Sequence, residues 1–242
     1  MKTHCRACPL RTRPLFVPLT EDEIAFMERF KDDERTVERG RIVLHEGESS
    51  PNVYTVLRGM GTRSKMLATG QRQVINFVFP GDFVGLQSSL MGEMKHSVEA
   101  STDMVLCTFR RADLWTLFNA HPARAYDLTW IAAVEEHFLG ETIATLGQRD
   151  AMQRMAWALL RMYRRLRAVD LGADGWVPLP FRQLDLADAL GLSLVHTNKT
   201  LGRLRQLGLA RLAGGRLTIP DRQALADLAQ VEAEPAETRP IL

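Results

Sequence analysis

Two groups of residues in this chain have the types and spacing for chemistry. The first is Cys5-Arg6-Ala7-Cys8-Pro9, a pair of thiols two residues apart, with a third, Cys107, far along the chain. Thiolates spaced in this way, joined by one from a distant segment, can hold zinc or an iron–sulfur cluster. They can also oxidise reversibly between Cys5 and Cys8, or be tail thiols and a core cysteine with no chemistry. The second group lies in Arg182–Leu212, RQLDLADALGLSLVHTNKTLGRLRQLGLARL. There Val195, His196, Asn198, Lys199 and Arg203 fall on or beside one helical face. Asn198 can pair with adenine, Lys199 can donate to guanine O6 and N7, and Val195 can meet a thymine methyl. Arg182, Gln183 and the amides at a helix start capped by Ser193 can hold phosphates. Phosphate-loop, zinc-protease and nucleophile-elbow motifs do not occur, so the reading is not an enzyme. His45, His96, His121 and His137 are scattered, which makes haem a weaker option.

The elements that must present the second group are legible in outline. Gln183 to Leu190 reads as a short helix with Leu186 and Leu190 inward and the small Ala187 where two helices approach. Gly191 ends it, Ser193 caps the next helix, and Thr197, Leu201, Leu204 and Leu207 form that helix's buried stripe. After Gly208, Leu209 to Ile219 reads as a hairpin turning at Gly214-Gly215. Helix, turn, helix and hairpin make a winged helix. Upstream, Arg149 to Ala168 is a helix, and Leu171 to Pro180 reads as a loop. Pro122 to Gly147 is a long helix with an apolar stripe at Leu128, Ile131, Val134, Phe138, Leu139, Ile143 and Leu146, interrupted by Glu135 and Glu141. A helix of this length needs a surface for its stripe, and its twin in a homodimer is the expected one.

Before the long helix, Arg41–Leu44, Val53–Leu57, Val74–Phe79 and Met104–Phe109 are short apolar runs between turn signals, the pattern of a β-sandwich or small barrel. A helix near Glu21–Phe30 precedes them, with Thr20 and Glu23 as a capping box. The expected fold is thus α+β: a β-roll sensor over 14–120, a dimerisation helix over 121–147, a winged helix over 148–230 and a disordered polar tail over 231–242.

Charge agrees with this division. Gln148 to Gln223 carries 13 Lys and Arg against six Asp and Glu, while the whole chain is only +2. A basic C-terminal part favours a polyanion partner over a winged helix that serves only protein contacts on a ligand-binding module. No stretch approaches the ~20 apolar residues that span a bilayer. Three cysteines, an odd number, argue against a disulfide framework. Together with the lack of an apolar leader, this predicts a cytoplasmic protein.

The order β-roll, long helix, winged helix resembles the Crp/Fnr family of transcription regulators over roughly Pro14 to Gln223. The most specific stretch is Ala189 to Ile219, with a second likeness at Pro80-Gly81-Asp82-Phe83-Val84-Gly85. The resemblance implies a homodimer on a two-fold symmetric site in double-stranded DNA, in contact with RNA polymerase. Two departures matter. Where family members often carry a Glu and an Arg on the recognition helix, this chain has Val195 and Lys199, so a different DNA sequence is expected. The cyclic-nucleotide branch uses an acid just after the position of Gly85 and an Arg further on. Here the pocket residues are Gly85, Leu86, Gln87, Ser88, Lys95 and His96, which predicts that cyclic nucleotide is not bound. The redox branch holds an iron–sulfur cluster with four cysteines. With Cys5, Cys8 and Cys107 alone, His4 or a carboxylate would have to supply the fourth ligand. A regulator that needs no effector fits the sequence as well.

Overall fold

The computed structural model describes residues 2–173, 175–232 and 237–242. It divides into two compact units, Met1–Glu135 with Thr238–Leu242, and Glu136–Glu237.

The first unit starts with a 3-10 turn, Cys5–Ala7, and helix α1, Glu21–Phe30. Thr20 accepts from the Glu23 amide and Glu23 reaches back to Thr20, so the expected capping box forms. Eight strands follow: β1 (Asp33–Val37), β2 (Ile42–Leu44), β3 (Asn52–Arg58), β4 (Gly61–Met66), β5 (Arg72–Val78), β6 (Phe83–Val84), β7 (Ser97–Ala100) and β8 (Met104–Arg110). They make two four-stranded antiparallel sheets, ordered β1-β8-β3-β6 and β2-β7-β4-β5. Val37, Val56 and Leu106 from the first sheet and Val43, Val98 and Ala100 from the second belong to one apolar cluster. That shared core makes the β-roll. Helix α2, Leu86–Met91, interrupts the strands, and α3, Leu114–Ala120, follows them.

The long helix α4 runs from Pro122 to Gln148. Its stripe divides instead of facing one partner. Leu128, Ile131 and Phe138 are buried within the chain, whereas Leu139 and Ile143 are exposed. Arg124, itself buried, anchors the helix start to α1 through Glu23 at 3.0 Å. Glu135 does not break the stripe as expected. It turns to the β-roll, where its Oε2 lies 2.8 Å from Arg63 Nη1 and accepts from Asn76.

In the second unit α5, Ala151–Ala168, is capped by Asp150 and buries Met155, Leu159, Leu160 and Leu166. The ring of Phe138 from α4 stacks on Trp157 of α5, with the Arg161 guanidinium 4.0 Å from the same ring. Then come β9 (Trp176–Pro178), α6 (Gln183–Leu190), α7 (Leu194–Gln206), β10 (Arg211–Ala213), β11 (Arg216–Thr218) and α8 (Arg222–Ala229). The stretch expected to be a loop over 171–180 contains β9, which pairs with β11 and completes a three-stranded wing.

The tail over 231–242 departs most from expectation. Residues 233–236 lie outside the described residues, but Thr238–Leu242 are seated on the β-roll as a strap. Arg239 exchanges backbone hydrogen bonds with Leu15 and Val17, at 2.8 and 2.9 Å. Its guanidinium meets Asp82 at 3.0 Å, both side chains 5% exposed, and Ile241 and Leu242 are buried. A polar composition hid Arg239, Ile241 and Leu242, because the partners that seat this segment, Leu15, Val17, Thr55 and Asp82, all lie more than 150 positions back. Gly81 is required there: its φ is +87°, and a Cβ would stand 2.1 Å from the ring of Phe16, the residue bridged to Arg239.

Candidate nucleic-acid interface and thiol pocket

The winged helix is built as its residues require. Leu186 and Leu190 of α6 and Thr197 and Leu204 of α7 are buried, as is the small Ala187. Gly191 takes φ 63°, ψ 37°, the left-handed conformation that ends α6. Ser193 Oγ then accepts the His196 amide at 3.2 Å and fixes the start of α7. Leu201 is only half-buried, and Leu207, expected in the stripe, is exposed because α7 stops at Gln206. Thr200 is buried instead, which places the inward face one residue around from the leucine pattern.

The opposite side is open. Val195 is 79% exposed, and His196, Asn198, Lys199 and Arg203 are exposed with it. Gln183 is exposed at the start of α6. Arg182 is held differently from a free surface cation: its Nε and Nη2 donate to Asp185 at 3.1 and 2.8 Å, while half its side chain stays in solvent. Asp185 is buried, and the Arg-x2-Asp spacing across a helix start is the one signal of it in the sequence. In the wing, Arg211 and Arg216 are exposed, and Arg216 lies 4.3 Å from the Trp176 ring.

Several of the residues expected to line an effector pocket are engaged in local contacts. Gly85 opens α2 against Val53. Ser88 is fully buried and accepts the Ser50 amide, and Gln87 accepts the Lys95 amide at 3.1 Å. Leu86 continues α2. Lys95 is exposed and paired with Glu93. Arg63, by contrast, is buried, committed to Glu135 and donating to Phe83 O at 3.0 Å. Beside this pair stands His96. Burial, then the positive charge of Arg63, pushes its pKa down to about 4, against smaller opposing effects of Glu135 and Glu46; Lys65 adds to the lowering. Because the folded-state value lies below the ordinary 6.5, the unfolded chain takes the proton first. Stability carried by neutral His96 is complete above pH 6.5 and is lost as pH falls toward 4. Urea midpoints of His96→Gln should therefore decline less than those of the native chain across that window. Equal declines would show that His96 does not contribute.

The cysteines are brought together. Cys5, Cys8 and Cys107 line one cavity of about 40 Å³ with Leu10, Leu57, Phe109, Ile241 and Leu242. Burial pushes the Cys5 thiol up to about 12, helped by the Glu28 carboxylate, and burial pushes Cys107 up to about 11, opposed by Lys31. The set does not fit an iron–sulfur cluster. The cavity has room for only about three waters, and its other walls are mostly apolar. His4, the expected fourth donor, faces solvent and bonds Glu28 at 2.6 Å. Among the described residues no three His, Cys, Asp or Glu side chains are grouped to hold a metal ion. Nor is any helix among them long and apolar enough to cross a membrane.

Comparison with known proteins agrees with both halves of this architecture. Residues 34–121 match the cyclic nucleotide-binding domain family and residues 153–228 the Crp-like helix-turn-helix domain. The nitrogen fixation regulation protein FixK of Bradyrhizobium diazoefficiens is 30% identical over 95% of this chain and 92% of its own. The transcriptional activator protein FnrL of Cereibacter sphaeroides is 28% identical over 89% of this chain and 87% of its own. The solved structure of FixK2 from Bradyrhizobium japonicum superposes with a TM-score of 0.73 at 29% identity, covering 81% of this chain and 96% of that one. With its β-roll, capped recognition helix and wing, the chain belongs to the Crp/Fnr family and is a DNA-binding transcription regulator, not an enzyme.

Proposed function

We propose that the protein works in the cytoplasm as a homodimer, reading a two-fold symmetric site in double-stranded DNA with α7 and acting there on RNA polymerase. The observation that carries this reading is the start of α7. A helix capped by Ser193 and buried through Thr197, Thr200 and Leu204 leaves Val195, Asn198 and Lys199 in solvent together. Those three side chains read bases, with His196 and Arg203 at the edges of the contact. Gln183 and the α7 amides hold phosphates. Arg182 joins them through the solvent side of its guanidinium, its plane fixed by Asp185.

Dimerisation is supported by the exposed apolar side chains of α4, Leu139 and Ile143. In a dimer that binds DNA the two recognition helices stand about one turn, roughly 34 Å, apart. Cyclic nucleotide is not the proposed effector, since Lys95 and Arg63, two of the cations near that pocket, are committed to Glu93 and Glu135.

Selection from a random duplex library tests the reading. A two-fold symmetric motif is expected. Asn198→Ala and Lys199→Ala should each reduce discrimination at their own base position by about 1–3 kcal/mol, with smaller loss at other positions. An unchanged motif in both variants would remove those residues from base reading, and a motif lacking symmetry would contradict the dimer.

A further inference from the structure

A dimer that reads DNA needs more than an exposed helix face, because its two copies of α7 must stand at a set separation. One base pair added between half-sites turns the far one by about 34° and moves it ~3.4 Å along the duplex. Within one chain, that separation depends on the path from the exposed apolar side of α4 to the α6–α7 pair. Residues 136–148 of α4 lie in the same compact unit as the winged helix, so the whole path is inside that unit.

The path passes through the junction of α4 and α5, and the junction is pinned. Arg149 stands between the two helices. Its Nη1 donates to Oγ1 of the fully buried Thr145 on α4 at 2.5 Å. Its Nε donates to Ala229 O at 2.9 Å and its Nη2 to Gln230 O at 3.4 Å, at the C-terminal end of α8. Carbonyls at a helix end lack intrahelical partners and form the negative end of the helix dipole, so a guanidinium suits them. The Arg149 carbonyl in turn accepts from Arg154 Nε at 2.8 Å, and Arg154 Nη1 donates at 3.3 Å to the carbonyl of Leu190, the last residue of α6 before the Gly191 turn. Asp150 and Gln153 close a capping box over the start of α5, at 2.9 Å each way.

We propose that Arg149, continued by Arg154, is a positioning residue for DNA reading: it locks the direction of α4 against the α6–α7 pair and so sets the spacing of the two half-sites, a role that rests on the two-fold reading proposed above. Its side-chain bonds go to α4 and the end of α8, so it acts on α7 through the joint. A two-fold axis repeats the joint, so a tilt in it displaces the two recognition helices in opposite senses and the error in separation doubles. Without the clasp each α7 still grips its own half-site, but the pair is no longer held to one spacing.

The test uses the full chain and duplexes carrying the selected half-sites in pairs. The spacer is lengthened or shortened by one and two base pairs, and a duplex with one half-site is measured beside them. The native chain should prefer one spacing. In Arg149→Ala the affinity ratio between the best spacing and the next should fall at least about fivefold, the lower end of coupling between two sites, while affinity for the single half-site is kept. Arg149→Lys keeps a positive charge at the end of α8 but not the fork that reaches two acceptors, so it should lower the ratio too. It serves if Arg149→Ala does not fold, with circular dichroism as the control. An unchanged ratio in the folded variant would overturn the proposal. So would a parallel loss on single and paired half-sites, the mark of a purely structural residue, or a native chain indifferent to spacing; each of these leaves the two-fold reading standing. Selection of no symmetric motif by the native chain would remove that reading and this role together.

Discussion

Replacing Asp82 by Ala is expected to lower the unfolding free energy of the chain by about 3 kcal/mol, at the lower end of what removing one member of a buried ion pair costs. Both side chains of the Arg239–Asp82 pair are nearly inaccessible, and Asp82 Oδ2 also accepts the Phe79 amide at 2.8 Å. The alanine variant therefore leaves a buried donor without its acceptor and a buried cation without its anion. The lower figure is chosen because the strap can leave: Arg239 then regains water, and what is lost is the burial of Ile241 and Leu242, roughly 1.5–3 kcal/mol for each such side chain before the entropy of a freed segment is returned. Asp82→Asn keeps an acceptor for Phe79 and should lose less. Urea denaturation measures both. A change in Asp82→Ala within about 0.5 kcal/mol, the range of ordinary surface substitutions, would mean that the pair does not hold the strap.

The second large effect is expected at Ile143. It is 71% exposed on α4, beyond the point where Phe138 packs on Trp157. Placed in a two-fold interface, one substitution acts twice. Ile143→Glu should then cost roughly 2 kcal/mol per copy, a hot-spot value, and about a thousandfold in dimerisation for the roughly 4 kcal/mol total. Sedimentation should show monomer, and binding to a symmetric site should fall with it while unfolding of the second unit stays unchanged. A dimer that survives the substitution would move the interface off this part of α4.

What the sequence disclosed and what it hid follow one physical rule. Signals carried within a few residues were legible: the Thr20–Glu23 capping box, Gly191 followed by Ser193, and the Gly214-Gly215 hairpin are local geometry that residue types alone specify. Features that depend on a distant partner were not. β1 reads DERTV and β4 reads GTRSKM, neither of which looks like a strand until β8 and β7 supply the other half of the ladder. Glu135 looked like an interruption because its partner, Arg63, stands 72 positions earlier. The site divides in the same way. The outward residues of α7 were read from helical spacing, whereas the grip of Asp185 on Arg182 and the meeting of Cys107 with Cys5 and Cys8 needed the fold. Leu207 was misplaced because its leucine spacing continues past the end of the helix.

The strap also changes what kind of object the second unit is. Residues 136–237 do not follow the β-roll as a bead on a string; they are an insertion within it, since chain on both sides belongs to the first unit. Synthesis from the N-terminus delivers the whole inserted unit before residue 238, so the winged helix has its full sequence while the β-roll still lacks its closing segment. Closing a loop of that length adds little entropic cost beyond a shorter one, because the penalty grows only with the logarithm of loop length. The β-roll is thus the later of the two to be completed, and a nascent chain passes through a stage in which the DNA-reading unit is whole and the thiol cavity still open.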